Sequence, residues 1–337
     1  MKLERFVAVL VARNREFIRD RSALTWNIMF PVMIVFGFSF AFSGQPLDKY
    51  KISIYSNQPD VEASSFGFSR LKYTKFIMAD NVDKAILKVK RHQLDMFVDV
   101  VSRKYWINDS SPNGYVLERV MGSFDDFDFD KATVSGREIR YVEWLMPGVL
   151  AMNMMFSALF GVGYVIVRYR KSSVLKRLKA TPVSAFEFLS AQIVSRLWLI
   201  MLVTIFVYFG TDVFVDFSMN GNYFDLFVVF MLGAFCLISL GLMVAARITS
   251  EEMANGLLNM ISWPMMFLSG VWFSLEGTHP LMQQLSLVFP LTHICESVRA
   301  IMIDGVGLMD VSDHLLILVF MSIIFLGLGS YFFRWDD

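Results

Sequence analysis

Long apolar runs separated by short polar ones make up most of this chain, and their spacing predicts a fold before any single residue is considered. A helix that crosses a bilayer needs about 20 mostly apolar residues. Six stretches meet that requirement: 24–42, 145–167, 191–209, 226–246, 254–273 and 314–333. The first follows a charged segment with no convincing small-residue cleavage site, so it is expected to stay as an anchor rather than leave as a signal peptide. Ahead of it, Leu3, Phe6, Val7, Leu10, Val11, Phe17 and Ile18 recur among charges at helical spacing. That pattern predicts an amphipathic helix over 1–23, lying along the inner membrane surface.

Residues 44–140 follow a different rule. Short alternating runs, "KISIY" from Lys51, "KFIMA" from Lys75, "DMFVDVV" from Asp95 and "KYWIND" from Lys104, predict strands. Between them "NVDKAILKVKRH" puts Val82, Ala85, Ile86 and Val89 on one helical face behind an Asn81 cap. A compact mixed α/β module is expected. Asp126, Asp128 and Asp130 imitate the start of a calcium loop, but Lys131 occupies the position of the obligatory glycine and Arg137 that of the bidentate glutamate. No calcium site is expected there.

Composition agrees with the pattern: 55% of the 337 residues are hydrophobic, 15% are aromatic and the mean hydropathy is +0.50. These values define an integral membrane protein. With 31 basic and 31 acidic residues the formal net charge is zero, which gives no reason to expect a nucleic-acid partner and leaves the placement of the cations as the informative quantity. Lys2, Arg5, Arg13, Arg15, Arg19 and Arg21 precede the first run, and Arg168, Arg170, Lys171, Lys176, Arg177 and Lys179 follow the second. Arg247 and Arg334 follow the fourth and sixth, while the opposite short loops hold Arg299 alone. Positive-inside asymmetry therefore predicts cytoplasmic termini and an extracytoplasmic 44–140 segment. The expected fold class is an α-helical polytopic membrane protein with six transmembrane helices and a mixed α/β extracytoplasmic domain between the first and second spans. Domain limits are 1–23, 24–43, 44–140 and a five-helix bundle over 141–337.

Candidate chemistry removes classes rather than adding one. Cys236 and Cys295 have no CxxC spacing and are expected to be small packing residues. His92, His279, His293 and His314 form no HExxH motif, and no nucleophile elbow or paired catalytic carboxylates occur, so no metal, catalytic residue or enzyme activity is expected. No GxxxxGK[ST] phosphate loop is present either.

The segment "RKSSVLKRLKATPVSAFEFL" from Arg170 is different. Val174, Leu175 and Leu178 give a helix over about 172–179 one apolar edge on a basic body. Pro182 stops it by biasing Thr181 out of the helical region. Ser184 and Glu187 then form a capping box at the start of the third span. Topology and lipid phosphates would require only the charge; the apolar edge, breaker and cap together describe a short rigid helix on which something docks.

"LKRLKATPVSAFEFL" resembles the cytoplasmic loop of permease subunits of ABC-2 class ABC exporters, and "FLSGVWFSLEGTHPLMQQLSLVFPLTHICESVRAIMIDG", 267–305, is similar to that family's later run of an SG bend, a proline, "PLTH" and an arginine before a glycine. "FSLEG" replaces the aromatic and proline that follow the bend in the family. The resemblance implies a coupling helix engaging a separate ABC ATPase, with Lys171, Val174, Leu175, Lys176, Arg177, Leu178, Thr181, Pro182 and Glu187 as its residues. It also implies two permease copies, as homodimer or heterodimer, with two ATPase subunits that bind ATP and Mg while the permease binds no cofactor. The setting would be a bacterial inner membrane, the activity export, and the outer domain a place for a periplasmic adaptor. The 22 methionines and 33 phenylalanines fit a route for a hydrophobic or amphipathic substrate, and equally fit lipid-facing surface.

Two polar stripes lie inside predicted spans. Asn255, Asn259, Ser262, Met266 and Ser269 recur at four- and three-residue steps, as do Asn153, Ser157, Gly161 and Tyr164. Such faces turn toward protein or a cavity, serving helix packing or, as the resemblance implies, a dimer seam and substrate route. A capping box is expected at Thr249 and Glu252. The segment 290–303 is too short to cross twice and is expected to re-enter or to lie at the outer interface. Within it Glu296 and Arg299 are spaced to pair as a local ion pair or an outer gate, and Arg196 is expected to snorkel to the membrane surface. A secondary transporter and a membrane-anchored sensor or scaffold are the alternatives; the near absence of interior carboxylates argues against the first, and four further spans without a role against the second.

Overall fold

The computed structural model describes residues 3–19, 21–41, 50–56, 71–79, 81–124, 127–136, 139–217, 219–275 and 278–333. Lys2, Gly44, Asp126, Arg137 and Arg334 lie outside them. The chain divides into two compact units, residues 41–141 and the remainder.

The smaller unit is a five-stranded sheet of order β2-β1-β3-β4-β5. β1 (Tyr50–Tyr55) runs parallel to β2 (Thr74–Met78) and β3 (Met96–Asp99), β4 (Lys104–Asn108) is antiparallel to β3, and β5 (Asp130–Val134) is parallel to β4. Alternation along the strands gives the sheet two apolar faces. Ile52, Ile54, Met96, Val98, Tyr105 and Ile107 pack under α4 (Pro112–Met121) through Leu117 and Met121. On the other face Phe97 and its cross-strand neighbour Trp106 stack at 5.2 Å beside Ala85 and Val89 of α3 (Val82–Lys90). Asn81 caps α3 as its sequence predicts. α4 and β5 are elements beyond those expected; Ser111, accepting from the Gly114 amide, with Pro112 in the first turn, is the local signal for α4. Asp130 opens β5, and Asp128, just before it, meets Arg103 at 3.6 Å.

The larger unit is helical. Amphipathic α1 (Leu3–Arg19) leads into α2 (Arg21–Ala41), whose described apolar part is Asn27–Phe36. The second apolar run is a continuous 31-residue helix in three parts: α5 (Tyr141–Ala158), a π-helical segment (Leu159–Tyr164) and α6 (Val165–Lys171). After α7 (Val174–Lys179) come α8 (Ala185–Val215), α9 (Tyr223–Ala245), α10 (Glu251–Leu268), α11 (Pro280–Ser286), α12 (Pro290–Arg299) with a π-helical end (Ala300–Asp304), and α13 (Ser312–Phe332). The α5–α6 helix is the centre of the bundle, 78% of its apolar window being buried against 17% for α13. Close approach makes this possible: a Cβ on Gly163 would stand 3.0 Å from the Gly241 carbonyl of α9, and small residues let helix backbones meet in this way.

Among the described residues four helices are long and apolar enough to cross a membrane, or five if the α11 and α12 pair, bent by 94°, counts as one broken span. The predicted fifth run falls short: α10 has 18 residues, opens on two glutamates and ends before Gly270, whose left-handed φ of 67° turns the chain. Its N-cap is Ser250, which accepts from the Met253 amide, rather than the expected Thr249.

Candidate coupling site

The basic segment at one end of the bundle is built from three neighbouring helices. Ser173, held left-handed at φ 58°, makes the turn from α6 into α7, so the short helix starts at Val174, two residues later than its sequence predicts. Leu175 is fully buried, Val174 and Leu178 are half-buried, and Lys176, Arg177 and Lys179 point outward. The Thr181 hydroxyl closes the end by donating to the Leu178 carbonyl at 2.6 Å. The Ser184–Glu187 capping box is present in both directions, at 3.2 and 3.0 Å, with the Glu187 side chain buried at the root of α8. A short charged rod is thus seated through one leucine and fixed at both ends.

Arg170, which the sequence presents as one more loop cation, is the clamp. It is 4% exposed, and its guanidinium donates to the carbonyls of Ala245 (3.1 Å), Ala246 (3.0 Å) and Ile248. These are carbonyls at the C-terminal end of α9, where helical acceptors lack intrahelical donors and the dipole favours a cation. Lys171 turns the other way, reaching Glu251 at 3.7 Å and Glu252 at 3.6 Å at the start of α10, while the Tyr164 hydroxyl donates to Glu251 at 2.7 Å. Helices α6, α9 and α10 are thereby joined beside the rod.

α1 straps the same end. Arg5 donates to the Pro182 carbonyl, and Asn14 accepts from Ser195 and, at 3.2 Å, from the Trp198 indole of α8. Arg13 is 7% exposed and donates to the Gly161 carbonyl at 2.7 Å and to Glu16 at 2.9 Å; Glu16 also takes Arg168 at 2.6 Å and the Tyr169 hydroxyl. Burial pushes the Glu16 carboxyl upward, but the hydrogen bonds from Tyr169 and Arg13 and the adjacent guanidinium charges leave it below the usual carboxylate range.

Arg196 corrects its sequence reading. Instead of snorkelling it is 6% exposed and turns inward, donating to the Ser157 carbonyl through Nε at 2.8 Å and to the Ser157 hydroxyl at 2.8 Å. The space is left by Gly161, where a Cβ would fall 2.0 Å from the guanidinium carbon. The π-helical segment thus has an arginine on the backbone at each side, Arg13 at Gly161 and Arg196 at Ser157.

The polar stripes divide. In α5–α6 Asn153 and Ser157 are buried, with Ser157 engaged by Arg196 and Tyr164 by Glu251. In α10 the stripe splits: Asn255 and Asn259 bond each other at 3.0 Å on the open side, with the Trp263 indole on Asn259 at 3.3 Å, whereas Ser262, Met266 and Ser269 are buried and Ser269 accepts from Thr292 at 3.0 Å. At the opposite end, Glu296 and Arg299 do not form the expected pair. Glu296 meets His314 at 3.3 Å, while Arg299 stands 3.8 Å over the Trp144 ring and donates to the Gly270 carbonyl at 2.6 Å. Helical spacing allowed the pair, but the carbonyls after α10 and the ring face offered the guanidinium better partners.

Sequence reasoning took Arg13 only as a topology charge and Gly161 only as a member of a polar stripe, and passed over Glu251. A glycine pair and an arginine inside apolar runs were the available signals, since a cation at that depth must find partners.

A helical bundle with four or five candidate spans among the described residues, and a clamped basic rod at one end, defines a multi-pass membrane protein. The profile of the ABC-2 type transporter family matches residues 4–303, and the chain belongs to that family. Family membership implies partnership with an ABC ATPase subunit. No curated protein matches the chain.

Proposed function

We propose that the protein is the permease subunit of an ATP-driven exporter and that α7 is its coupling helix. In this reading α2 and α10 complete six spans, both termini are cytoplasmic, and residues 44–140 lie outside a bacterial inner membrane, available to a periplasmic adaptor. Two permease copies, a homodimer or a heterodimer, meet along the open α10 face that carries Asn255 and Asn259. Two ATPase subunits bind ATP and Mg and grip α7 through Lys176, Arg177 and Lys179. Their closure pushes α7 inward; Arg170 passes the movement to α9, Lys171 to α10, and the Ser184 cap to α8. A rod that yielded locally would dissipate that push, and the observation that carries the reading is that α7 is seated on Leu175 between flanks that are themselves fixed, Arg170 and Lys171 of α6 tying to the end of α9 and the start of α10, and Ser184 capping α8.

The cargo in this reading is hydrophobic or amphipathic. Supporting it is a cleft of about 560 Å³ between α8 and α9, lined by Trp198, Met201, Leu202, Phe206, Phe227 and Met231, of a size suited to one small apolar molecule.

Reversing two outward charges in K176E/R177E tests the coupling role. Affinity capture of the tagged, membrane-extracted chain is expected to bring down an ABC ATPase with the native sequence and to lose it with the variant. A variant that keeps a full complement of ATPase would overturn the assignment.

A further inference from the structure

Three side chains at the end of the bundle away from α7 form a linked chain of two hydrogen bonds and one ion-pair contact. His293 of α12 is fully buried, and its Nε2 lies 2.9 Å from the Leu287 carbonyl. Its Nδ1 lies 2.9 Å from Nδ1 of His314 in the first turn of α13. On the far side of that ring, Nε2 of His314 is 3.3 Å from the Glu296 carboxylate, one turn along α12.

Counting protons along this chain fixes its charge state. A carbonyl only accepts, so Nε2 of His293 carries a hydrogen. Neutral His293 then presents a bare Nδ1, and the hydrogen between the two rings belongs to His314. The Glu296 carboxylate 3.3 Å from Nε2 of His314 is attracted only if that nitrogen carries a third hydrogen, since a bare ring nitrogen and a carboxylate oxygen repel. Two neutral imidazoles and a carboxylate supply two, so the closed chain holds one proton more than its neutral-ring, ionised-carboxylate form.

Other groups do not supply it. Arg299 on α12 turns to Trp144 and Gly270, and Cys295 is buried. α9 brings Tyr223, Asp225 and Cys236, and the titratable groups of α10 are Glu251 and Glu252, which face Lys171 at the opposite end. Asp304 follows in the π-helical end of α12, and Asp313, beside His314 in sequence, is exposed.

We propose that His293, His314 and Glu296 form a proton-binding site that fastens the bent α11–α12 segment to α13, one proton being taken up when the contact closes and released when it opens. The site's ligand is the solvent proton, and histidine is the side chain whose ordinary titration falls in the physiological range. At high pH one of the three contacts loses its hydrogen, which frees the Leu287 turn and α12 from α13. The proposal is independent of the ATPase reading.

Hydrogen–deuterium exchange of the full chain in lipid nanodiscs between about pH 5 and pH 8 tests it. After correction for intrinsic exchange, protection of the 287–297 amides is expected to fall about tenfold across that range, with the midpoint of a single proton, the scale of one charge-assisted hydrogen bond. H314Q and E296Q are expected to remove that dependence while leaving the amides of β1 and β3, an internal reference for folding, unchanged. Glu296 is half-exposed, so E296Q guards against a variant that fails to pack. Flat protection in the native sequence, or an unaltered pH dependence in both variants, would overturn the proposal.

Discussion

Arg170 and the trio Lys176, Arg177 and Lys179 lie within ten residues of one another, carry the same charge and count equally toward topology, yet the bundle treats them in opposite ways. Arg170 is withdrawn from solvent and spread over three carbonyls at and just beyond the end of α9; the trio is exposed on a rod that Leu175 anchors. The contrast separates a cation that builds the site from cations that the site presents. A buried guanidinium is costly unless it finds acceptors, and the end of α9 offers three carbonyls to its two terminal nitrogens. The trio keeps its hydration and remains available to a partner.

The contrast can be broken most forcefully at Arg170. R170A strips three carbonyls of their donor in a buried place and is expected to cost roughly 3–5 kcal/mol, seen as a large fall in thermal midpoint in detergent; R170K, which keeps the charge but not the fork, recovers part of it. Next in size is G161A, whose methyl lands on the Arg196 guanidinium; overpacking of about 1–3 kcal/mol is expected, together with altered exchange of the amides around the π-helical segment. S184A removes one side of the capping box that fixes the root of α8 and should lower stability by about 1 kcal/mol, an amount a melting curve resolves. K176E/R177E sharpens the comparison from the other side: its thermal stability should stay within about 0.5 kcal/mol of the native chain, even as the proposed ATPase capture is lost.

A surface pair in the smaller unit supplies the weakest effect. Glu118 takes Lys131 at 2.6 Å and the Tyr105 hydroxyl at 2.9 Å; partial burial pushes its carboxyl up, while those two hydrogen bonds and the lysine charge leave it net below the usual range. A depressed carboxylate contributes stability above its unfolded pKa, about 4.3, and loses it as pH falls through the lower folded value. E118Q is therefore expected to melt slightly below the native chain at neutral pH and together with it in strong acid.

Local features were legible in the sequence and long-range ones were not, and particular residues say why. Asn81 and Ser184 act as caps because a cap depends on three or four neighbouring residues. Thr249 failed as a cap because Ser250, adjacent and equally able, took the position. Arg196 and the Glu296–Arg299 pair failed because reach along one helix does not reveal what stands on the next. In the smaller unit the strands rich in β-branched and aromatic residues were visible by alternation, whereas β5, "DKATV", carries too little apolar signal and is recruited by pairing with β4.

The sequence by itself determined that this is a multi-pass membrane protein with an α/β insertion, that a basic capped segment follows the second apolar run, and which family the chain belongs to, because hydropathy, caps and local motifs are properties of contiguous residues. Only the tertiary structure decided which arginines become clamps, where Gly161 yields room for one of them, and that two histidines 21 positions apart meet beside a glutamate. Those outcomes depend on helices brought together from distant parts of the chain, where a buried charge takes the nearest acceptor in space rather than the nearest in sequence.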